Sequence, residues 1–131
     1  LWRYGDTLDT PRNILIVDDE PQLCTLMRAF LERSGYRVTA FTSATQALAF
    51  VQSDPDSAQL AVVDLTLPDM DGDKAGIEMR QLNPGLRVLI CSGYPFEVEA
   101  LPEEHREAFA HLQKPFIPKM LIESVESLLA R

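Results

Sequence analysis

Five times along this chain a short apolar run gives way to a longer stretch whose apolar residues recur at helical spacing, and few architectures accommodate that alternation. The first run, Ile14 to Val17, is apolar at every position, as expected of a central parallel strand covered on both faces. It ends in three acids, Asp18, Asp19 and Glu20. Pro21 then suits a first helical turn, and Leu23, Leu26, Met27, Phe30 and Leu31 recur three and four residues apart until Gly35 stops the helix. The same reading predicts a strand over Tyr36 to Phe41, a helix capped by Ser43 that carries Ala47, Leu48 and Val51 inward, and a strand over Leu60 to Val63. A turn and helix follow from Pro68 to about Leu82, weakened by Gly76, and then a strand over Leu86 to Cys91. Phe96 to His105 form a fourth and less regular helical unit. A strand around Phe109 to Leu112 and a helix with Leu121, Val125, Leu128 and Leu129 on one side complete the pattern. Right-handed crossovers turn such a series into an α/β fold, a doubly wound parallel sheet of five strands with five helices.

With 131 residues, 46% of them hydrophobic, the chain can bury one real core and is too short for two domains of ordinary size. Residues 1 to 12, LWRYGDTLDTPR, lack periodicity and read as a linker or extension, which leaves the folded domain at 13 to 131. A net charge of -8 argues against direct binding to nucleic acid or to an anionic membrane surface, and makes a divalent cation the more natural guest. No apolar run approaches the roughly 18 residues of a membrane span, and no secretory signal opens the chain, so a cytoplasmic location is expected. Cys24 and Cys91 have neither metal-ligand nor Cys-x-x-Cys spacing and read as core thiols.

Ligands of a doubly wound sheet collect at the carboxyl ends of its strands, near the point where strand order reverses. The first strand is followed there by Asp18, Asp19 and Glu20, the third by Asp64, the fourth by Ser92 and the fifth by Lys114. Converging carboxylates repel one another unless a cation joins them, and their hard oxygens suit Mg²⁺. A cation held by carboxylates, an ammonium and a hydroxyl can surround the oxygens of a transferring phosphoryl group. One carboxylate is then the nucleophile, forming an acyl phosphate. Asp64 fits that role, because it starts a turn held by Pro68 and Gly72 and is expected to be exposed but rigidly placed. The adjacent pair Asp18 and Asp19 suits metal binding.

The segments ILIVDDE, AVVDLTLPDMDG, LICSGY and QKPF, each at a strand end and in that order, resemble the motifs of response-regulator receiver domains, and the resemblance covers residues 13 to 130. It implies a flavodoxin-like strand order of 2-1-3-4-5. Asp64 would be the phosphoacceptor; Asp19, Asp64 and the main-chain carbonyl of Thr66 would bind Mg²⁺, with Asp18 acting mostly through a metal-bound water. Ser92 would hydrogen-bond a phosphoryl oxygen, Lys114 would pair with another, and the Lys114-Pro115 peptide would be cis. The partners implied are a histidine kinase or histidine phosphotransfer protein, with output through the face of the fourth helix, fifth strand and last helix, including a homodimer there. Such a module catalyses only its own phosphorylation and dephosphorylation. The family usually places Tyr or Phe three residues before the lysine as a switch partner of the hydroxyl; here that residue is His111. Ser92-Gly93-Tyr94 looks most like receivers attached to hybrid histidine kinases, and Thr66 and Tyr94 would tune the phosphoryl lifetime.

Taken singly, each feature has a plainer meaning. Acids favour a helix start, a serine caps a turn, and a lysine sits on a surface. Their common placement at strand ends outweighs those meanings. His111 reads as a half-buried strand residue satisfied by hydrogen bonds, and His105 as plain surface. Two rivals remain: a phosphorylation-independent interaction module, and an aspartate-nucleophile phosphatase of the haloacid-dehalogenase type. The latter wants an acid two residues after its nucleophile, where this chain has Thr66.

Overall fold

The computed structural model describes residues 11–131, so the linker expected over 1 to 12 falls, apart from Pro11 and Arg12, outside the described residues. Strands and helices alternate as β1 (Asn13–Val17), α1 (Pro21–Arg33), β2 (Arg37–Phe41), α2 (Ala44–Ser53), β3 (Leu60–Asp64), α3 (Gly72–Leu82), β4 (Arg87–Ser92), α4 (Glu103–Arg106), β5 (Phe109–Gln113) and α5 (Pro118–Leu129), with a 3-10 turn at Val98–Ala100. All strand pairs are parallel, in the order β2-β1-β3-β4-β5. The expected doubly wound, flavodoxin-like sheet is the observed one.

The unbroken apolar strands follow from two core layers. Ile14, Ile16, Leu60, Val62, Leu89 and Cys91 pack toward Met27 and Leu31 of α1 and Leu121, Val125 and Leu128 of α5. The alternate residues Leu15, Val17, Ala61, Val63, Val88 and Ile90 pack toward α2 and α3 through Ala44, Ala47, Val51, Ala75 and Met79. Successive strand side chains point to opposite faces, so a strand covered on both sides has no polar position to spare.

Local signals set the helix ends. Gly35 adopts φ +98°, its N–H donates to Glu32 O, and the N–H of Tyr36 reaches back to Leu31 O, the paired bonds that close α1. Ser43 caps α2, its Oγ accepting from Gln46 N at 3.3 Å. Gly76 lets α3 approach the sheet: a Cβ there would lie 2.9 Å from Val88 Cγ1 and 3.0 Å from Phe109 Cζ. The helix also starts at Gly72, the stretch from Pro68 being loop.

The fourth helical unit is the one that shrinks, to the 3-10 turn and the single turn of α4. Pro95 and Pro102 interrupt it, and each restricts the residue before it to extended backbone. His105, expected on the surface, is instead buried. The short α4 tucks its imidazole against α3, where Arg80 Nε donates to Nδ1 at 3.1 Å, and beside the ring of Phe109.

Candidate functional site

The strand register brings one edge together. Val17 lies level with both Phe41 and Val63, Asp64 with Cys91, and Ser92 with Gln113. The residues that end or follow β1, β3, β4 and β5 therefore share the carboxyl edge, where strand order reverses between β1 and β3.

Asp18 is 1% exposed; its Oδ1 accepts from Glu20 N at 2.9 Å, which turns the chain into α1, and its Oδ2 accepts from Lys114 Nζ at 3.0 Å. Asp19 beside it is exposed. Asp64 is only 9% exposed, correcting the expectation of an exposed carboxylate. The cause is its place as the last residue of a central strand, paired with Cys91, rather than the first of a loop. Burial pushes its pKa up; Lys114 and the main-chain N–H of Thr66 pull it down, Asp18 adds to the rise, and the net shift is upward.

After Asp64 the chain folds back on itself. Thr66 bridges Asp71 in antiparallel fashion, Gly72 N donates to Leu65 O at 2.7 Å, and a Cβ on Gly72 would lie 2.1 Å from the carbonyl oxygen of Asp64. Only glycine fits there. The exposed residue Thr66 is thereby held beside Asp64.

Lys114 reaches the site from the end of β5, its backbone N–H donating to Ser92 O at 2.8 Å. The Lys114-Pro115 peptide is cis, as the resemblance implied. Its ammonium lies 3.0 Å from Asp18, 3.4 Å from Asp64 and 3.9 Å from Glu20. Burial alone would lower its pKa, but the hydrogen bond and charge of Asp18, with the charge of Asp64, outweigh that and raise it.

Carboxylate oxygens of Asp18, Asp19 and Asp64 lie within 4.8 Å of one another. Three hard anionic donors at that spacing, two of them buried and faced by one ammonium, leave a surplus of negative charge that fits a small divalent cation. Asp18, Asp19 and Asp64 are thus all in the cluster and Lys114 joins it, while Glu20 touches only Lys114.

Ser92 and His111 form a second group on β4 and β5. Ser92 is 2% exposed; its Oγ donates to Tyr94 O at 2.5 Å and lies 2.8 Å from His111 Nε2. His111 is half-buried, as expected, with its ring centroid 6.1 Å from that of Phe96, and burial pushes its pKa down. Cys24 and Cys91 are buried and free; burial drives Cys91 up to about 12, which keeps it a neutral core thiol.

One residue of this region escapes sequence reasoning. Asp69 accepts from Ala44 N at 3.1 Å, Thr45 N at 2.8 Å and Thr45 Oγ1 at 2.6 Å, so the loop after Asp64 is fastened to the start of α2. The Thr45 hydroxyl bond, then the backbone bonds, lower its carboxyl to about 2. An acid in a loop with no local partner is the only signal for it.

The response regulator receiver domain family matches residues 14–126. The chain is 30% identical over 115 residues to the C4-dicarboxylate transport transcriptional regulatory protein DctD of Rhizobium meliloti, covering 86% of this chain and 24% of that protein. It is 30% identical over 120 residues to the alkaline phosphatase synthesis transcriptional regulatory protein PhoP of Bacillus subtilis, covering 92% and 49%. The chain thus spans 24% and 49% of the length of these curated relatives. A response regulator receiver domain protein (CheY-like) from Methanospirillum hungatei superposes with a TM-score of 0.81 at 29% identity, over 92% of this chain and 95% of that one.

Proposed function

The chain belongs to the response regulator receiver domain family, the phosphoacceptor modules of two-component signalling, and from that premise we propose that Asp64 is its phosphoacceptor. The observation that carries this reading is the ammonium of Lys114 set 3.0 Å from Asp18 and 3.4 Å from Asp64 at the sheet's switch point. The donor is a phosphohistidine on a histidine kinase or histidine phosphotransfer protein. A carboxylate oxygen of Asp64 attacks phosphorus, the P–N bond breaks with its electron pair leaving on the imidazole, and an acyl phosphate forms. Asp18, Asp19, Asp64 and the main-chain carbonyl of Thr66 would hold Mg²⁺, which supplies positive charge to the phosphoryl oxygens when bound. Lys114 offers the second positive charge and Ser92 a hydroxyl proton.

The domain is a self-modifying switch rather than an enzyme with a separate substrate. Its output face is formed by α4, β5 and α5, through a protein partner or a second copy. No described helix is long and apolar enough to cross a membrane, and a cytoplasmic site of action goes with the proposed donor. Incubation with acetyl phosphate and Mg²⁺ followed by intact mass measurement tests the assignment. The wild type should gain one phosphoryl group and Asp64→Asn none; no gain in the wild type, or an unchanged gain in Asp64→Asn, would overturn it.

A further inference from the structure

The contact between Ser92 and His111 has a proton inventory that can be completed. A hydroxyl carries one proton, and a carbonyl oxygen can only accept. Tyr94 O lies within hydrogen-bond distance of Ser92 Oγ and has no proton of its own, so the Ser92 proton is committed to Tyr94. The Ser92 oxygen then has only lone pairs left for His111 Nε2, at 2.8 Å. Nε2 is therefore the protonated ring nitrogen, and the bond runs from His111 to Ser92. Both groups are shielded, Ser92 being buried and His111 half-buried, so neither bond exchanges freely for one to water.

Resting on the reading of Asp64 as phosphoacceptor, Ser92 can donate to a phosphoryl oxygen only by withdrawing its proton from Tyr94, and any swing of the oxygen toward Asp64 also takes it off Nε2–H. We propose that His111 is a positioning residue that latches Ser92 in the resting arrangement and so opposes the phosphorylated one. A phenyl ring at position 111 could fill the same space beside Phe96 but has no donor to offer. The imidazole thus sets the resting bias of the switch, and its release on phosphorylation is the event passed along β5.

Nitrogen-15 spectra of the unphosphorylated protein read the tautomer directly. His111 should be in the Nε2–H form, and the preference should be lost in Ser92→Ala. In a titration with beryllofluoride and Mg²⁺, His111→Phe should bind roughly 2- to 10-fold more tightly than the wild type, the worth of one hydrogen bond. His111→Gln, which keeps an N–H donor, should stay near the wild type. An Nδ1–H tautomer in the resting protein, or a His111→Phe affinity equal to or below that of the wild type, overturns the latch. A wild type that binds no beryllofluoride overturns the Asp64 reading instead, while the tautomer still decides the latch.

Discussion

At one corner of the sheet's carboxyl edge, Asp18, Glu20 and Asp64 face the ammonium of Lys114, the one cation paired with them among the described residues, and Asp19 joins Asp18 and Asp64. At the other, Ser92, Tyr94 and His111 form a short chain of hydrogen bonds with no formal charge. The first corner is short of positive charge, and the Asp64 carboxyl there is raised in pKa, by burial first and then by the charge of Asp18. The second has donors matched to acceptors and no comparable stress. A site that has to attract a cation and a phosphoryl group is kept electrostatically unfinished, whereas a site that has to rest in one position is kept satisfied.

The sharpest way to break this contrast is to remove the one cation. Lys114→Met should cost about 2–3 kcal/mol at neutral pH, since it leaves buried Asp18 and Asp64 uncompensated; Lys114 is 21% exposed, which trims the full cost of breaking a buried pair. Loss of Lys114 raises the Asp64 pKa further. A group whose folded pKa lies above its unfolded value favours folding only while protonated, so the deficit should shrink as pH falls toward that pKa. Urea denaturation at several pH values measures it, and a deficit independent of pH would mean that the corner is not under charge stress.

Asp64→Asn should act with the opposite sign. Replacing a buried carboxylate of raised pKa by a neutral isostere removes the cost of burying its charge and then the repulsion with Asp18, for a gain on the order of 1 kcal/mol without divalent cations. Thermal melts with and without Mg²⁺ check it, the advantage fading as the cation stabilises the wild type alone. The smallest effect belongs to the other corner. His111→Phe should cost about 0.5–1 kcal/mol, the worth of its one neutral hydrogen bond to Ser92, with no dependence on pH between 5 and 8 beyond that of His111 itself. A loss as large as that of Lys114→Met would erase the distinction between the corners.

The acid corner is the more legible of the two in the amino-acid sequence. Asp18 and Asp64 each stand directly after an apolar run and Lys114 directly after the last strand, and a parallel sheet brings such positions to one edge whatever the helices between them do. The burial of Asp64 is not legible, because apolar spacing locates a strand but not whether its last ladder pair includes the acid. Asp69 is hidden for a related reason: its partners Ala44 and Thr45 lie in another helix, and no local pattern encodes a cap supplied from a neighbouring loop. His105 looks like surface because it is a polar residue among acids at the end of an irregular unit; prolines cut α4 to one turn and its imidazole folds inward. At the second corner, His111 is visible as an unexpected residue, but the direction of its hydrogen bond depends on where the Ser92 proton lies.

The close approach of Gly72 to the strand end bears on ancestry as much as on shape. A side chain there would meet the Asp64 main-chain carbonyl, an atom every residue type at position 64 possesses. The demand for glycine is therefore independent of the carboxylate. A descendant of this lineage that lost the acid, and with it all phosphorylation, would still be held to glycine at position 72 while it kept this backbone. That residue is thus a marker of this backbone that outlasts the chemistry.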